Sequence, residues 1–227
     1  DNKKYKKAKK AKEFKIAKTK GEVLFLNRDM VQAEVMWVKN NGKADFKVSA
    51  NSRVFNEYFG GSMAGVVFQT IRESKALAYS TSSRFVLPLE KGDIAFSMAY
   101  VGTQADKLND AVKSMNELLQ ASVNDAKLIE AALSAVKQQV ASTRVNGFET
   151  FAYLDRIKKQ GWDMDPNWFI YNECSRISLG DIANFQTQFM NGTYSLAIMG
   201  SKEKLDMEFV KSLGKLKELS LVDIFGY

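Results

Sequence analysis

Apolar positions along the chain recur every second residue at first, and then every third or fourth. A second period-two stretch follows, and most of the second half has helical spacing. Val23-Leu24-Phe25-Leu26 predicts a short strand. Residues 30–38 predict a longer one, with Val31, Ala33, Val35 and Trp37 on one face and Gln32 and Glu34 on the other. Asn40-Asn41-Gly42 is a turn signal. Residues 48–59 predict a helix that stops at Gly60-Gly61, where paired glycines favour a break. A second helix over 64–74 places Val67, Phe68 and Ile71 at helical spacing. The period then returns to two over 77–87 and 93–101, which predicts a strand pair joined across Pro88-Leu89-Glu90-Lys91-Gly92. In the second of these strands Ile94, Phe96, Met98 and Tyr100 alternate with Ala95, Ser97 and Ala99. The bulky face is expected to pack helices, and the small face to border solvent or a cavity.

Helices dominate the second half of the chain. Thr103 is expected to cap one whose apolar stripe is Leu108, Ala111, Val112, Met115, Leu118 and Leu119. Asn124 is expected to cap a longer one carrying Leu128, Ala132, Leu133, Val136 and Val140, ending at Asn146-Gly147. A third runs over 148–160 to Gly161, and a fourth begins at Ser178-Leu179-Gly180-Asp181 and ends near Met190. Residues 194–199 predict a strand ending at Gly200, and short helical pieces complete the chain. Hairpin-joined strands and clustered helices in this order predict an α+β two-layer sandwich. Its sheet would be mixed but mostly antiparallel, with helices packed on one face.

Composition narrows the chemistry. The 227 residues are 45% apolar, with two prolines, one cysteine and no histidine. That content argues for a folded domain and against disorder. One cysteine excludes an intramolecular disulfide and a multi-thiolate zinc site. The missing histidine excludes a Ser-His-Asp triad, a histidine base and His-ligated metal from this chain alone. No apolar run reaches the ~18 residues of a membrane span. The start lacks the apolar segment of a signal peptide and opens on Asp1, so the sequence reads as a piece of something longer.

The net charge of +7 is unevenly spread. Residues 1–20 hold ten lysines against Asp1 and Glu13, a net +8, while the remaining 207 residues carry 23 basic and 24 acidic groups. A neutral body argues against a nucleic-acid-binding face. The division expected is a basic linker arm over 1–20 and a single α+β domain over 21–227. Ala8, Ala11, Phe14, Ile16 and Ala17 give the arm a ragged stripe that fits a docked helix. An arm that binds anionic surfaces is the other reading, and it predicts binding that salt weakens steeply.

Asn56-Glu57-Tyr58-Phe59-Gly60-Gly61-Ser62-Met63, followed by Val67-Phe68-Gln69-Thr70-Ile71-Arg72-Glu73-Ser74-Lys75-Ala76-Leu77-Ala78-Tyr79-Ser80, resembles the insulinase/pitrilysin family of inverted-motif zinc metallopeptidases. Val101-Gly102-Thr103-Gln104 ahead of a helix is similar as well. The resemblance covers residues 22–200 and is specific over 51–106. Active members carry His-x-x-Glu-His and a downstream Glu that bind zinc. A chain without histidine has no such motif, so the resemblance implies a non-catalytic C-terminal domain. It implies further that such a domain closes a chamber over an active half, in which zinc would reside and peptide be cut. No cofactor is expected in this chain itself. The expected partners are the N-terminal catalytic half and a peptide substrate, and a bacterial envelope setting follows only by analogy.

In that family the inactive half often contributes an Arg and a Tyr seven residues apart, and Arg72 and Tyr79 match the spacing. A guanidinium and a phenol at one rim of the sheet can donate hydrogen bonds to substrate carbonyls and to a developing oxyanion. The structural alternative is that Arg72 pairs with a local acid and Tyr79 packs in the sheet with its hydroxyl outward. The small Ala/Ser face of residues 95–99 is expected to line the chamber. Gly60-Gly61-Ser62 lacks the Lys-Ser/Thr of a phosphate loop and reads as a turn between helices. Cys174 reads as an inert thiol, and the aromatic run 162–171 as packing under a loop. The competing function is that of a structural domain in a family member that has lost catalysis.

Overall fold

Six strands form one sheet in the order β3-β4-β2-β5-β1-β6. The computed structural model describes residues 18–226, so the arm's helical stripe lies outside the described residues. In chain order the elements are β1 (Glu22–Asn27), β2 (Gln32–Lys43), α1 (Ser49–Phe59), a π-helical segment Phe68–Ser74, β3 (Ser80–Val86) and β4 (Ile94–Gln104). They continue with α2 (Leu108–Gln120), α3 (Ala126–Ser142), α4 (Glu149–Gln160), α5 (Pro166–Glu173) and α6 (Leu179–Phe185). A second π-helical segment, Gln186–Met190, leads to β5 (Ser195–Gly200), α7 (Met207–Ser212), β6 (Lys215–Leu219) and α8 (Leu221–Phe225). The pairs β3–β4, β4–β2 and β2–β5 are antiparallel, whereas β1 runs parallel to both β5 and β6. This is the α+β two-layer arrangement with a mixed sheet that the order of elements predicted.

The helix-covered face of the sheet carries Val23, Phe25, Val35, Trp37, Phe85, Ala99, Val101 and Ile198, all buried. Trp37 is the largest of these, and its indole N–H donates to Asn116 Oδ1 on α2 at 2.9 Å. Against this face α1, α6 and the second π segment bring a ring cluster. Phe55 stacks on Phe59 at 5.0 Å, and Phe85 meets Phe185 edge-on at 5.1 Å and Phe189 at 4.9 Å.

Those rings reverse the expected facing of β4. The small face of β4, Ala95, Ser97 and Ala99, is the buried one, and Ile94, Phe96, Met98 and Tyr100 occupy the open face. The helices supply the bulk, so strand positions beneath them must be small for the layers to close. Ser97 is fully buried and its hydroxyl donates to the Phe189 carbonyl at 2.5 Å. The Ala/Ser face therefore lines no chamber.

Gly60 is needed for a close approach. A Cβ there would come within 2.5 Å of the Ser83 backbone N and O, so only glycine lets α1 end against β3.

Other sequence expectations shift for local reasons. β2 runs on through Asn40-Asn41-Gly42, with a register irregularity between Asn40 and Lys43 in place of the turn. Val31, expected on the core face, is exposed ahead of β2. Thr103 stays in β4, where its hydroxyl donates to the Leu77 carbonyl, and it caps no helix. Asp125 caps α3 in place of Asn124, accepting from the Leu128 N–H at 2.9 Å. The aromatic run holds a helix, α5, with Asp165 as N-cap and Pro166 in its first turn. β6 stands where a helical piece was expected.

Candidate functional site

The predicted α-helix over 64–74 becomes π-helical at Phe68–Ser74, and the Lys75 N–H donates to the Thr70 carbonyl five residues back at 3.1 Å. Arg72 lies in its last turn. The chain then reverses through Ala76, a non-glycine residue at φ +49°. Three bonds hold this reversal against the end of β4 and the turn just after it. Lys107 Nζ donates to the Ala76 carbonyl at 3.0 Å, Thr103 donates to the Leu77 carbonyl, and the Tyr79 N–H donates to the Gly102 carbonyl at 2.9 Å. As a result Arg72, from the π-helical segment, and Tyr79, from just ahead of β3, line the same hollow of about 280 Å3 together with Glu73, Gln104 and Lys107.

Both side chains are accessible. Tyr79 is 52% exposed, and its hydroxyl oxygen accepts from Gln104 Nε2 at 2.6 Å. Because the oxygen is the acceptor in that bond, the phenolic hydrogen is free to be donated elsewhere. The Arg72 guanidinium lies 4.9 Å from the Phe68 ring centre, and its Nε is 3.9 Å from Glu73 Oε1, with both side chains about half exposed. A pair that long and that exposed contributes at most about 1 kcal/mol, so Glu73 does not commit the guanidinium. The sequence alone marks neither Gln104 nor Lys107 as a site residue. Gln104 ends a stretch that carried the resemblance, but its reach to Tyr79 depends on the β3–β4 pairing, which aligns Ser80 with Gly102.

The open sheet face runs up to this hollow. Ser82, Tyr100, Met36, Ala197, Leu24 and Lys217 lie side by side across all six strands. The Tyr100 hydroxyl lies 2.9 Å from where a Cβ on Gly102 would stand, beside the strand position that anchors Tyr79. The face is apolar and polar by turns, and α8 adds Ile224 to a hollow of about 230 Å3 with Leu24, Met36 and Met199.

The weaker candidates resolve into structure. The Gly60 and Gly61 N–H groups both donate to the Asn56 carbonyl, at 3.2 and 2.7 Å, so neither is available to an anion. Cys174 is buried, and burial pushes its thiol upward despite the opposing pull of Lys137 and Arg53, so it is held protonated. Trp162 packs on Phe169 at 5.0 Å, while Trp168 is exposed. Among the described residues no group of three or more His, Cys, Asp or Glu could hold a metal ion. Among the described residues, no helix is long and apolar enough to cross a membrane.

A family profile described as "Peptidase M16 inactive domain" matches residues 1–140. No curated protein matches the chain. Among solved structures, a peptidase M16 inactive domain from Pseudomonas fluorescens superposes with a TM-score of 0.70 at 14% identity, over 85% of this chain and 46% of that one. A protease from Helicobacter pylori gives 0.66 at 10% identity, over 86% and 48%. A conserved protein from Enterococcus faecalis V583 gives 0.61 at 16%, over 80% and 42%. The chain thus spans just under half the length of each of these structures.

Proposed function

The chain belongs to the peptidase M16 inactive-domain family, and from that premise we propose that it is the peptide-binding wall of a zinc metalloendopeptidase, set opposite a half that holds the metal. The convergence of Arg72 and Tyr79 on one exposed hollow is the observation that carries this reading. A peptide lying over the hollow would meet a planar cation and a phenolic donor side by side. The guanidinium suits a carbonyl or a carboxylate, and the phenol can donate to an oxygen on which charge develops during hydrolysis. Gln104 holds the phenol by donating to its oxygen, which leaves the phenolic hydrogen available to a peptide. Lys107 adds positive charge at the same rim while holding the Ala76 turn.

The sheet's bulky open face, with Tyr100 and Met36, serves as the adjoining chamber wall, in place of the Ala/Ser face. Its mixture of apolar and hydroxyl-bearing side chains suits an extended peptide of varied sequence. The Lys-rich segment 1–20 acts as the hinge to the preceding half. No hydrolytic step belongs to this chain.

Assembly tests the reading. The isolated chain should leave peptides intact, and mixing it with the half that bears His-x-x-Glu-His should restore cleavage that a chelator abolishes. Stoichiometric zinc on the isolated chain, with turnover that a chelator removes, would overturn it.

A further inference from the structure

Away from the Arg72–Tyr79 rim, α1, α4 and α5 line a separate, half-open cavity of about 240 Å3. Ser49, Ser52, Arg53 and Asn56 face it from α1 at helical spacing. Arg156 comes from α4, and Phe46, Phe85, Trp162 and Ile170 make its walls apolar. A second hollow of about 430 Å3 adjoins it and shares Arg53, Tyr153, Arg156 and Asn167.

Three features of this cavity are unbalanced. First, two guanidinium groups line it and no carboxylate does. Neither Arg53 nor Arg156 forms a salt bridge among the described residues, and both are exposed at the surface. Second, the two nearby carboxylates bond elsewhere and neither pairs with these arginines among the described residues: Asp165 Oδ1 accepts from the Tyr153 hydroxyl at 2.6 Å and from the Asn167 N–H at 2.7 Å, and Glu149 of the adjoining hollow accepts from the Asn146 N–H at 3.4 Å. Burial and the bond to Asp165 push Tyr153 up to about 12, so it stays a neutral donor to Asp165. Third, Ser49 is only 7% exposed, and its Oγ has no hydrogen-bond partner among the described residues. A buried hydroxyl left unpaired is unfavourable, so a polar atom in the cavity that Ser49 Oγ met by a χ1 rotation would recover that loss.

Cations without a counter-ion, apolar walls and an unmet buried hydroxyl describe one kind of occupant. We propose that this cavity binds a small organic acid, with its carboxylate between Arg53 and Arg156, its apolar body against Phe85 and Ile170, and a polar group reaching Ser49 Oγ. Planar forked donors match a carboxylate, and two of them together select it over a neutral amide. The assignment is independent of the peptide-binding role, because it uses other residues from other elements.

The test is calorimetric titration of the full chain with para-hydroxyphenylacetate as probe, beside phenylacetate, para-hydroxyphenylacetamide, N-acetyl-tyrosine and inorganic phosphate. The acid should saturate a single site, and the amide should not bind. Arg53→Gln and Arg156→Gln should each weaken the acid about 10- to 100-fold, the loss of one charge-assisted contact. Ser49→Ala should erase the preference for para-hydroxyphenylacetate over phenylacetate. Tighter binding of N-acetyl-tyrosine would make a peptide C-terminus the source of the carboxylate, and tighter binding of the free acid a small metabolite. Both arginines are exposed, so their variants should melt like the parent, and circular dichroism checks that the fold persists. No saturation by any of the acids up to about 10 mM, far weaker than a built site gives, would overturn the proposal. Equal binding of the amide, equal competition by bare phosphate, or binding indifferent to both arginine variants would do the same.

Discussion

Gln104 Nε2 donates to the hydroxyl oxygen of Tyr79 at 2.6 Å, across the end of the β3–β4 pair. The bond does more than hold the ring, because it takes up the phenol's oxygen and leaves its hydrogen free to be donated. A carboxylate in place of the amide would be an acceptor only and would turn that hydrogen inward. Gln104→Glu is therefore expected to lower kcat/KM of the assembled peptidase about 10-fold, the worth of one neutral donor. Gln104→Met leaves the hydrogen free and is expected to change it by less than about 3-fold on the same scale. Steady-state kinetics on the two variants decides between orientation and mere packing.

Ala76 holds a left-handed backbone at φ +49° between the two site residues. A β-branched side chain tolerates that region poorly, so Ala76→Val is expected to cost about 1–2 kcal/mol and to displace Tyr79. Ala76→Gly removes the Cβ conflict and should retain full stability, since the relief offsets the added freedom of the unfolded chain. Urea unfolding of both variants measures the difference.

The two faces of the sheet respond oppositely to added bulk. Ala99 is buried beneath the helices, and Ala99→Leu is expected to cost about 1–3 kcal/mol by overpacking. Met36 is exposed on the open face, and Met36→Thr should change stability by less than about 1 kcal/mol. Equal costs would mean that the assignment of faces is wrong.

Much of this architecture is legible in the residues themselves. Alternation in 93–101 identifies β4, and Gly60-Gly61 marks the end of α1. Ser178 with Asp181 marks the start of α6, where both halves of a capping box form. What alternation cannot supply is its phase: which side of β4 is covered depends on how bulky the approaching helices are, and Phe55, Phe59 and Phe185 come from distant sequence. β6 escapes notice because Lys215-Leu216-Lys217-Glu218-Leu219 is a short, charged edge strand whose pairing with β1 carries the assignment. α5 could have been read from Asp165-Pro166, a cap followed by a proline in the first turn, had the aromatic run not suggested a packed loop. At the site, the spacing of Arg72 and Tyr79 is a sequence fact, whereas their meeting in one hollow depends on the π turn and on Ala76. Gln104 joins them only through strand register.

A chain without histidine has no side chain whose ordinary range falls between about pH 5 and 8. The shifted carboxylates lie lower. The Ser178 hydroxyl and N–H hold Asp181 below its usual 3.8, the Phe209 N–H and then Asn109 hold Asp206 down, and Ser220 does so for Asp223. A folded-state value below the unfolded one gives stability that is complete above 3.8 and is lost as pH falls through the lowered values. The urea midpoint should therefore be flat from about pH 5 to 8 and decline below about pH 4. Asp181→Asn should shrink the acid decline, and a step between pH 5 and 8 would contradict the assignment.

The proposed function has Arg72 and Tyr79 act on the peptide held between this wall and the metal-bearing half. Its most direct test is kcat/KM of the assembled peptidase carrying Arg72→Ala or Tyr79→Phe, with melting temperature as a control. Each variant is predicted to lose about 10- to 1,000-fold while melting like the parent, as expected for donors that act in the transition state. Parent-like kcat/KM in both would contradict the account.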